Sequence, residues 1–166
     1  MSQRLGVWAF VLLSGLMLLT GHLFGQTTPA CKAETPPLAG MEWQTIAFLA
    51  DDGQAAAELR VRVARTQGQR AAGMQHLCPE SIEENPMLFV FPSPQRPAFH
   101  MNNVHAPLDM VFIDPDGRVM ELHLMEPGNS LTSPSAPISH ALELAAGQAA
   151  DLGIVPGMRL HWRAEH

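Results

Sequence analysis

The sequence lacks the motifs by which common enzyme classes are recognised. It contains no phosphate-binding loop, no dinucleotide-binding glycine fingerprint, no zinc-protease helix motif and no nucleophile elbow. It also has no internal repeat that would indicate a solenoid or a propeller. A reaction therefore cannot be assigned from a motif, whereas composition and patterning do limit the class of protein.

Basic residues are scarce. Lys and Arg together number 10 against 16 Asp and Glu, which gives a formal net charge of −6. A nucleic-acid-binding protein needs a basic face, and charge-driven binding to anionic lipid has the same requirement. We therefore expect no nucleic-acid partner, and membrane contact only through an uncleaved N-terminal segment.

That N-terminal segment has the order of a secretory signal. Arg4 is followed by the uncharged apolar run 5–21, and then by a small, polar, Pro-rich exit. We interpret residues 1–30 as a signal peptide or an N-terminal anchor, 31–40 as a flexible linker and 41–166 as a single β-rich domain. The expected location is the periplasm or cell envelope, with anchoring to the inner membrane by residues 5–21 as the alternative.

Only two cysteines are present, Cys31 and Cys78. A pair in an oxidising compartment can form a disulfide, but a cysteine in a flexible end gains little from pairing. We expect free thiols, with Cys78 partly buried, and keep the disulfide as the alternative.

Hydrophobic patterning predicts a mainly β (α+β) fold, a small antiparallel barrel or sandwich of about seven or eight short strands with two short helices. We expect loops at 75–86 and 126–137, and helices at 66–74 and 147–153. The predicted strands are 41–50, 57–65, 87–91, 98–102, 108–114, 118–125, 139–145 and 158–163.

The stretch HMNNVHAPLDM, residues 100–110, concentrates polar groups between apolar strands. Buried polar groups must be hydrogen-bonded or used. In the structural interpretation Asp109 accepts backbone N–H bonds from the 102–106 turn and fixes it. In the functional interpretation Asp109 and Asn103 line a pocket, together with His100 and its neighbours.

A metal site is the second possibility. His76 and Cys78 lie close in sequence, as do His100 and His105, and imidazole and thiolate together suit zinc or copper. This set requires the two segments to meet in the fold. We expect no cofactor unless they do.

Several stretches, in order and spacing, resemble the prokaryotic family named domain of unknown function 192. The resemblance covers roughly residues 58–163 and implies a small β-rich domain, often exported and without an agreed activity. The segments that carry it are GM (73–74), PMLFVF (86–91), FHMNNVHAPLDMVFID (99–114), GRV (117–119) and LELAAGQAADLGIVPG (142–157).

The family's central motif usually has Trp, Lys and Thr where this chain has His100, Asn102 and Val104, and His105 is an addition. An aromatic wall and a cation are thus replaced by imidazole and amide groups. Glu143 alternates with Leu142 and Leu144, which predicts a solvent face or a strand Arg partner. The resemblance includes Glu143 and so favours a pocket role for it.

These observations predict an exported, monomeric, non-enzymatic domain that binds a small polar ligand or an envelope protein, with no catalytic residue assigned. The alternative is a zinc- or copper-binding protein or metal-dependent enzyme. A metal-free hydrolase using Asp109 and a His has the least support, because no nucleophile elbow is present. The expected pocket residues are His100, Met101, Asn102, Asn103, His105, Asp109 and Glu143, and the expected metal ligands are His76, Cys78, His100 and His105.

Overall fold

The computed structural model describes residues 31–162, so the predicted signal or anchor and the last four residues lie outside the described part. The fold is mainly β, as predicted, and contains these elements: α1 (Pro36–Ala39), β1 (Glu42–Leu49), β2 (Ala55–Ala64), α2 (Gln67–Ala72), α3 (Pro79–Glu84), β3 (Met87–Gln95), β4 (Phe99–Met101), β5 (Leu108–Ile113), β6 (Val119–Met125), β7 (Gly128–Thr132), β8 (Ile138–Ala145), α4 (Gln148–Asp151) and β9 (Arg159–His161).

Seven strands form one sheet in the order β6-β5-β8-β3-β2-β1-β9, and β4 pairs with β7 in a separate ribbon. The sheet curls into a half-barrel, and its two edge strands, β6 and β9, come together at one end. There the N–H of Val119 donates to the carbonyl of Met158, and the N–H of Leu160 donates to the carbonyl of Gly117, both at 2.8 Å.

One strand pair departs from the antiparallel prediction. β2 and β3 run parallel, and the chain between them contains α2 and α3. A parallel pair needs a long crossover, which this segment supplies. The predicted loop at 75–86 therefore contains a short helix, which Pro79 starts at its first position.

The sheet is buried on both faces. Its inner face packs residues of six strands, including Phe48, Val61 and Leu142, into one cluster. Its outer face carries residues such as Met87 and Phe112 and is covered by the helical segments and β4. The site described below lies in this outer layer.

The segment 31–40, interpreted as a flexible linker, is part of this cover. Leu38 is 1% exposed, and the N–H of Lys32 donates to the carbonyl of His76 at 2.7 Å. Cys31 and Cys78 form a disulfide, so the prediction of free thiols was wrong. Because 31–40 packs against the domain, its cysteine is held beside its partner.

The predicted loop at 126–137 contains strand β7, which pairs with β4. The sequence of β7, GNSLT, has one large apolar residue, Leu131, which is 69% exposed. The strand therefore has no apolar alternation that would distinguish it from a loop. Within residues 31–162, no helix has the length and apolar character needed to cross a membrane.

Candidate functional site

A small recess of about 110 Å³ lies in the outer layer, between the end of α2, the strands β3 and β8, and β4. Most of its lining residues are apolar or small, and the polar ones include Glu143 and His100. The lining residues are Arg70, Ala71, Ala72, Gly73, Met74, Gln75, Phe89, Ala98, Phe99, His100, Val104 and Glu143.

Glu143 lies on the central strand β8, directly opposite Met87 of β3 and Met110 of β5. It is 5% exposed, and its Oε2 atom is buried without a hydrogen-bond partner. Burial raises the pKa of this carboxyl from 4.5 to about 8. The prediction of a solvent face was therefore wrong, and near neutral pH Glu143 is an uncharged acid with one donor and one acceptor.

Gly73 places backbone without a side chain next to that carboxyl. A capping box at Thr66 and Gln69 starts α2, and the helix ends at Gly73 with φ 48° and ψ −138°. A β-carbon there would lie 3.5 Å from Oε2 of Glu143 and 3.6 Å from Cζ of Phe89. Glycine permits this backbone conformation and keeps a β-carbon away from the acid and from the Phe89 ring.

His100 contributes the second polar group. It lies on β4 between the buried Phe99 and Met101, and its Nδ1 atom is buried without a partner. Phe99 packs edge-on against Phe89 with ring centroids 5.4 Å apart, which fixes the aromatic wall. Two residues from two different sheets, each with an unpartnered buried polar atom, thus line one recess.

Arg70 is the cation of this recess. Its Nη1 donates to the carbonyl of Val90 at 3.0 Å and also to the carbonyl of Arg65, and its guanidinium lies 5.7 Å from the Phe91 ring centroid. Within residues 31–162 it forms no ion pair with Glu143, since the pairs present there are Arg62–Glu34 and His123–Glu121. The charge is therefore anchored to backbone carbonyls.

An open groove of about 320 Å³ adjoins the recess and shares five residues with it. The groove adds Phe91 and Pro97 to the apolar wall, and Gln67 and Gln95 to the polar one. The recess and the groove together offer a small end at Glu143 and His100 and a longer extension with both apolar and polar walls.

The structure separates Asp109 from Glu143. Asp109 pairs with Leu144, and Glu143 with Met110, so the two carboxyls point to opposite faces of the sheet. The Oδ2 atom of Asp109 accepts the N–H groups of Gly147 at 2.8 Å and Ala149 at 3.0 Å. Asp109 thus stabilises the start of α4. The prediction that it accepts N–H groups of the 102–106 turn was wrong, because its donors lie at 147 and 149.

The remaining predicted pocket residues are dispersed. Met101 is buried in the core, while Asn102 and Asn103 are exposed in the turn after β4, and His105 is half-buried. Asn103 adopts φ 59°, and its carbonyl accepts the N–H of His76 at 2.7 Å. Asn103 therefore contributes a backbone carbonyl that ties the turn to His76.

The predicted metal ligands do not form a cluster. The sulfur of Cys78 is bonded to Cys31, His76 is exposed, and His100 borders the recess. Across the described residues, no group of three or more His, Cys, Asp or Glu side chains is arranged to hold a metal ion.

Sequence reasoning missed Arg70, Gly73 and the aromatic wall. Gly73 and Met74 are part of the resemblance, but a glycine after a helix is also a common end signal, so its function could not be separated from its structural role.

A second recess of about 320 Å³ on β1 and β2 is lined by Trp43, Glu58, Arg60 and His161. None of these four side chains is a buried polar group without a partner.

The fold and this recess define a small half-barrel domain with a buried acid. The chain belongs to the family described as uncharacterized ACR, domain of unknown function 192 (DUF192), whose model matches residues 47–162. The predicted family is therefore confirmed. No curated protein matches the chain significantly.

Two crystal structures are similar. One, described as a "putative transcription regulator" from Sinorhizobium meliloti 1021, is 28% identical with a TM-score of 0.64, over 74% of this chain and 95% of that one. The other, a protein of unknown function from Novosphingobium aromaticivorans DSM 12444, is 28% identical with a TM-score of 0.65, over 78% and 91%.

Proposed function

We propose that this domain binds a small polar ligand in the recess between Glu143 and His100, and that it acts as a binding module without catalysing a reaction. One observation carries the proposal: two residues that line the recess, Glu143 and His100, each have a buried polar atom without a protein partner, Oε2 and Nδ1. Leaving such a group unpaired costs about 1–3 kcal/mol. A ligand that supplies both hydrogen bonds recovers this cost.

The shape of the site supports the same function. Apolar walls with a few convergent polar groups are typical of small-molecule sites. The recess has no Ser, Thr, Cys or Lys among its lining residues, so it offers no hydroxyl, thiol or amine nucleophile beside the acid.

We also propose that the domain is exported and works in the cell envelope. The Cys31–Cys78 disulfide supports this location, because disulfides persist in oxidising compartments and are rare in the cytosol. Fractionation of cells, with the mass of the mature chain measured, tests it. Recovery of full-length reduced protein from the cytosol alone would contradict it.

The Sinorhizobium protein is described as a "putative transcription regulator", so transcription regulation is the alternative function for this domain, and it would require a surface that attracts DNA or a DNA-bound partner. The acidic balance of this chain, with net charge −6, supports the small-ligand proposal instead. Retention on immobilised duplex DNA at physiological salt would reverse that preference.

A fragment screen followed by backbone amide NMR tests the ligand site. We expect fragments that shift the amides of Gly73, Met74 and His100, and an affinity loss of at least tenfold in Ala98→Phe, which covers the mouth. Ala98 is exposed and borders both recess and groove; the matched control is Ala150→Phe on the exposed side of α4. The proposal fails if no fragment shifts these amides, or if both variants bind equally well.

A further inference from the structure

We infer that the ligand presents a neutral primary carboxamide, whose donor nitrogen and acceptor oxygen are bonded to one carbon, to the carboxylic acid of Glu143. This inference rests on the proposed function and adds the chemical class of the ligand. It follows from what surrounds the acid, what remains unpaired, and how much space is open.

The surroundings of Glu143 do not supply a counter-charge. Across the sheet it faces Met87 and Met110, and Phe89 approaches the same space from β3. The other ionisable side chains that border the recess are Arg70 from α2 and His100 from β4. A cationic ligand would require Glu143 to ionise in a buried position, and the ligand's own charge would share the recess with the guanidinium of Arg70.

An anionic group is also a poor match for this position. A buried anion needs several donors, and the acid offers one O–H. The guanidinium of Arg70 is held by two backbone carbonyls through Nη1 and, within residues 31–162, forms no ion pair with Glu143, so its charge is held apart from the acid. The end of the ligand next to Glu143 is therefore uncharged.

A protonated carboxyl and a carboxamide are complementary. The acid O–H donates to the amide oxygen, and the amide N–H donates to the second acid oxygen, so two parallel hydrogen bonds form. Oε2 is the buried atom that lacks such a partner, and no side chain at Gly73 packs against it. The Nδ1 atom of His100 can accept the second amide hydrogen in its Nε2–H tautomer.

The size of the recess limits this group to a few heavy atoms. Its volume of about 110 Å³ is below the ~150 Å³ of a cavity that holds a benzene ring. The rest of the ligand would extend along Phe91 and Pro97 of the groove, where an apolar or aromatic body gains most from burial. The ligand class is thus a neutral amide head on an apolar body.

Three probes of the same shape and different charge test the inference: isobutyramide, isobutyramidinium and isobutyrate. Each is titrated by amide NMR at pH 6.5 and pH 9.5 against wild type, Glu143→Gln and Glu143→Leu, with Glu42→Gln on the exposed end of β1 as the control. At pH 6.5 we expect isobutyramide to bind wild type at least tenfold more tightly than either ion. At pH 9.5 its affinity falls at least fivefold, because the ionised acid no longer donates.

The variants separate hydrogen bonding from charge. Glutamine also has a neighbouring donor and acceptor, so Glu143→Gln retains amide binding within about threefold and loses the pH dependence. Glu143→Leu loses amide binding, and Glu42→Gln behaves as wild type.

Tighter binding of isobutyramidinium, increasing with pH, would overturn the inference and leave the ligand site intact. If all three probes fail while other fragments shift the amides of Gly73 and His100, the ligand class is wrong and the proposed function stands. If no fragment shifts these amides, the proposed function fails with it.

Discussion

The α-carbon of Gly73 faces the carboxyl of Glu143, and a β-carbon at position 73 would lie 3.5 Å from Oε2. This relationship joins the end of a short helix to a central strand 70 residues later in the sequence. It makes the backbone of the α2 end one wall of the recess, and it means that no side chain at position 73 packs against the acid.

The first prediction concerns that contact. Gly73→Ala forces a β-carbon onto a residue with φ 48° and ψ −138°, which costs about 1–3 kcal/mol of stability. Gly68→Ala is the control, because Gly68 lies inside α2 with nothing within 4 Å of its added carbon. There the same substitution stabilises the helix by about 0.5–1 kcal/mol. Urea unfolding checks the opposite signs, and equal effects would contradict the conformational argument.

The second prediction concerns Asp109 as the residue that holds the start of α4. Asp109→Ala removes the acceptor for the N–H groups of Gly147 and Ala149 and should lower the unfolding free energy by about 1–3 kcal/mol. Asp109→Asn keeps a side-chain oxygen and should lose less. Asp116→Ala, in an exposed turn, should change little.

Amide hydrogen exchange locates the effect of Asp109→Ala. We expect faster exchange at Ala149 and unchanged fragment binding in the Glu143 recess. Loss of binding without loss of stability would instead place Asp109 in the ligand site.

The third prediction concerns the disulfide. Cys31 and Cys78 close a loop with a sequence separation of 47, for which chain entropy gives about 4 kcal/mol. The double variant Cys31→Ser/Cys78→Ser should unfold at correspondingly lower urea concentration. A reductant should lower the midpoint of wild type to that of the double variant and leave the variant unchanged. A reductant effect of equal size in both proteins would rule out the cross-link as its cause.

The fourth prediction concerns pH. Because burial raises the pKa of Glu143 from 4.5 to about 8, the folded protein holds a proton that the unfolded chain releases above pH 4.5. The stability from this proton is present in full below pH 4.5 and is lost as pH rises to about 8, with a slope of up to ~1.4 kcal/mol per pH unit.

Unfolding of wild type and Glu143→Gln between pH 4.5 and 9 checks this dependence. The stability difference should shift in favour of Glu143→Gln as pH rises, and level off above pH 8. Glu42→Gln should track wild type throughout. A constant difference between wild type and Glu143→Gln would show that the acid titrates normally.

Much of the fold could be predicted because its signals are local. Alternation of Leu59, Val61 and Val63 with charged residues indicates a strand wherever that strand pairs, and an apolar run such as 87–91 indicates a buried one. The helix α3 and strand β7 were missed because neither has an apolar period. The first forms within a crossover, and the second forms by pairing with β4.

The site was only partly predictable for the same reason. His100 and Glu143 were both among the expected pocket residues, and the fold brings them to one recess. Asn103 and Asp109 have the same polar character in sequence but lie in a turn and on the opposite face. Residue type shows that a polar group needs a partner, whereas its position in the sheet decides which partner it meets.

The amino-acid sequence by itself determined the family, the β-rich class and the acidic charge, since each depends on residue order and composition. The tertiary structure alone decided that Cys31 bonds to Cys78, that Asp109 holds α4, and that Glu143 is buried beside Gly73. These are contacts between residues distant in the chain. Their free energies depend on distance and exclusion of water, which exist only once the sheet has curled and its outer face is covered.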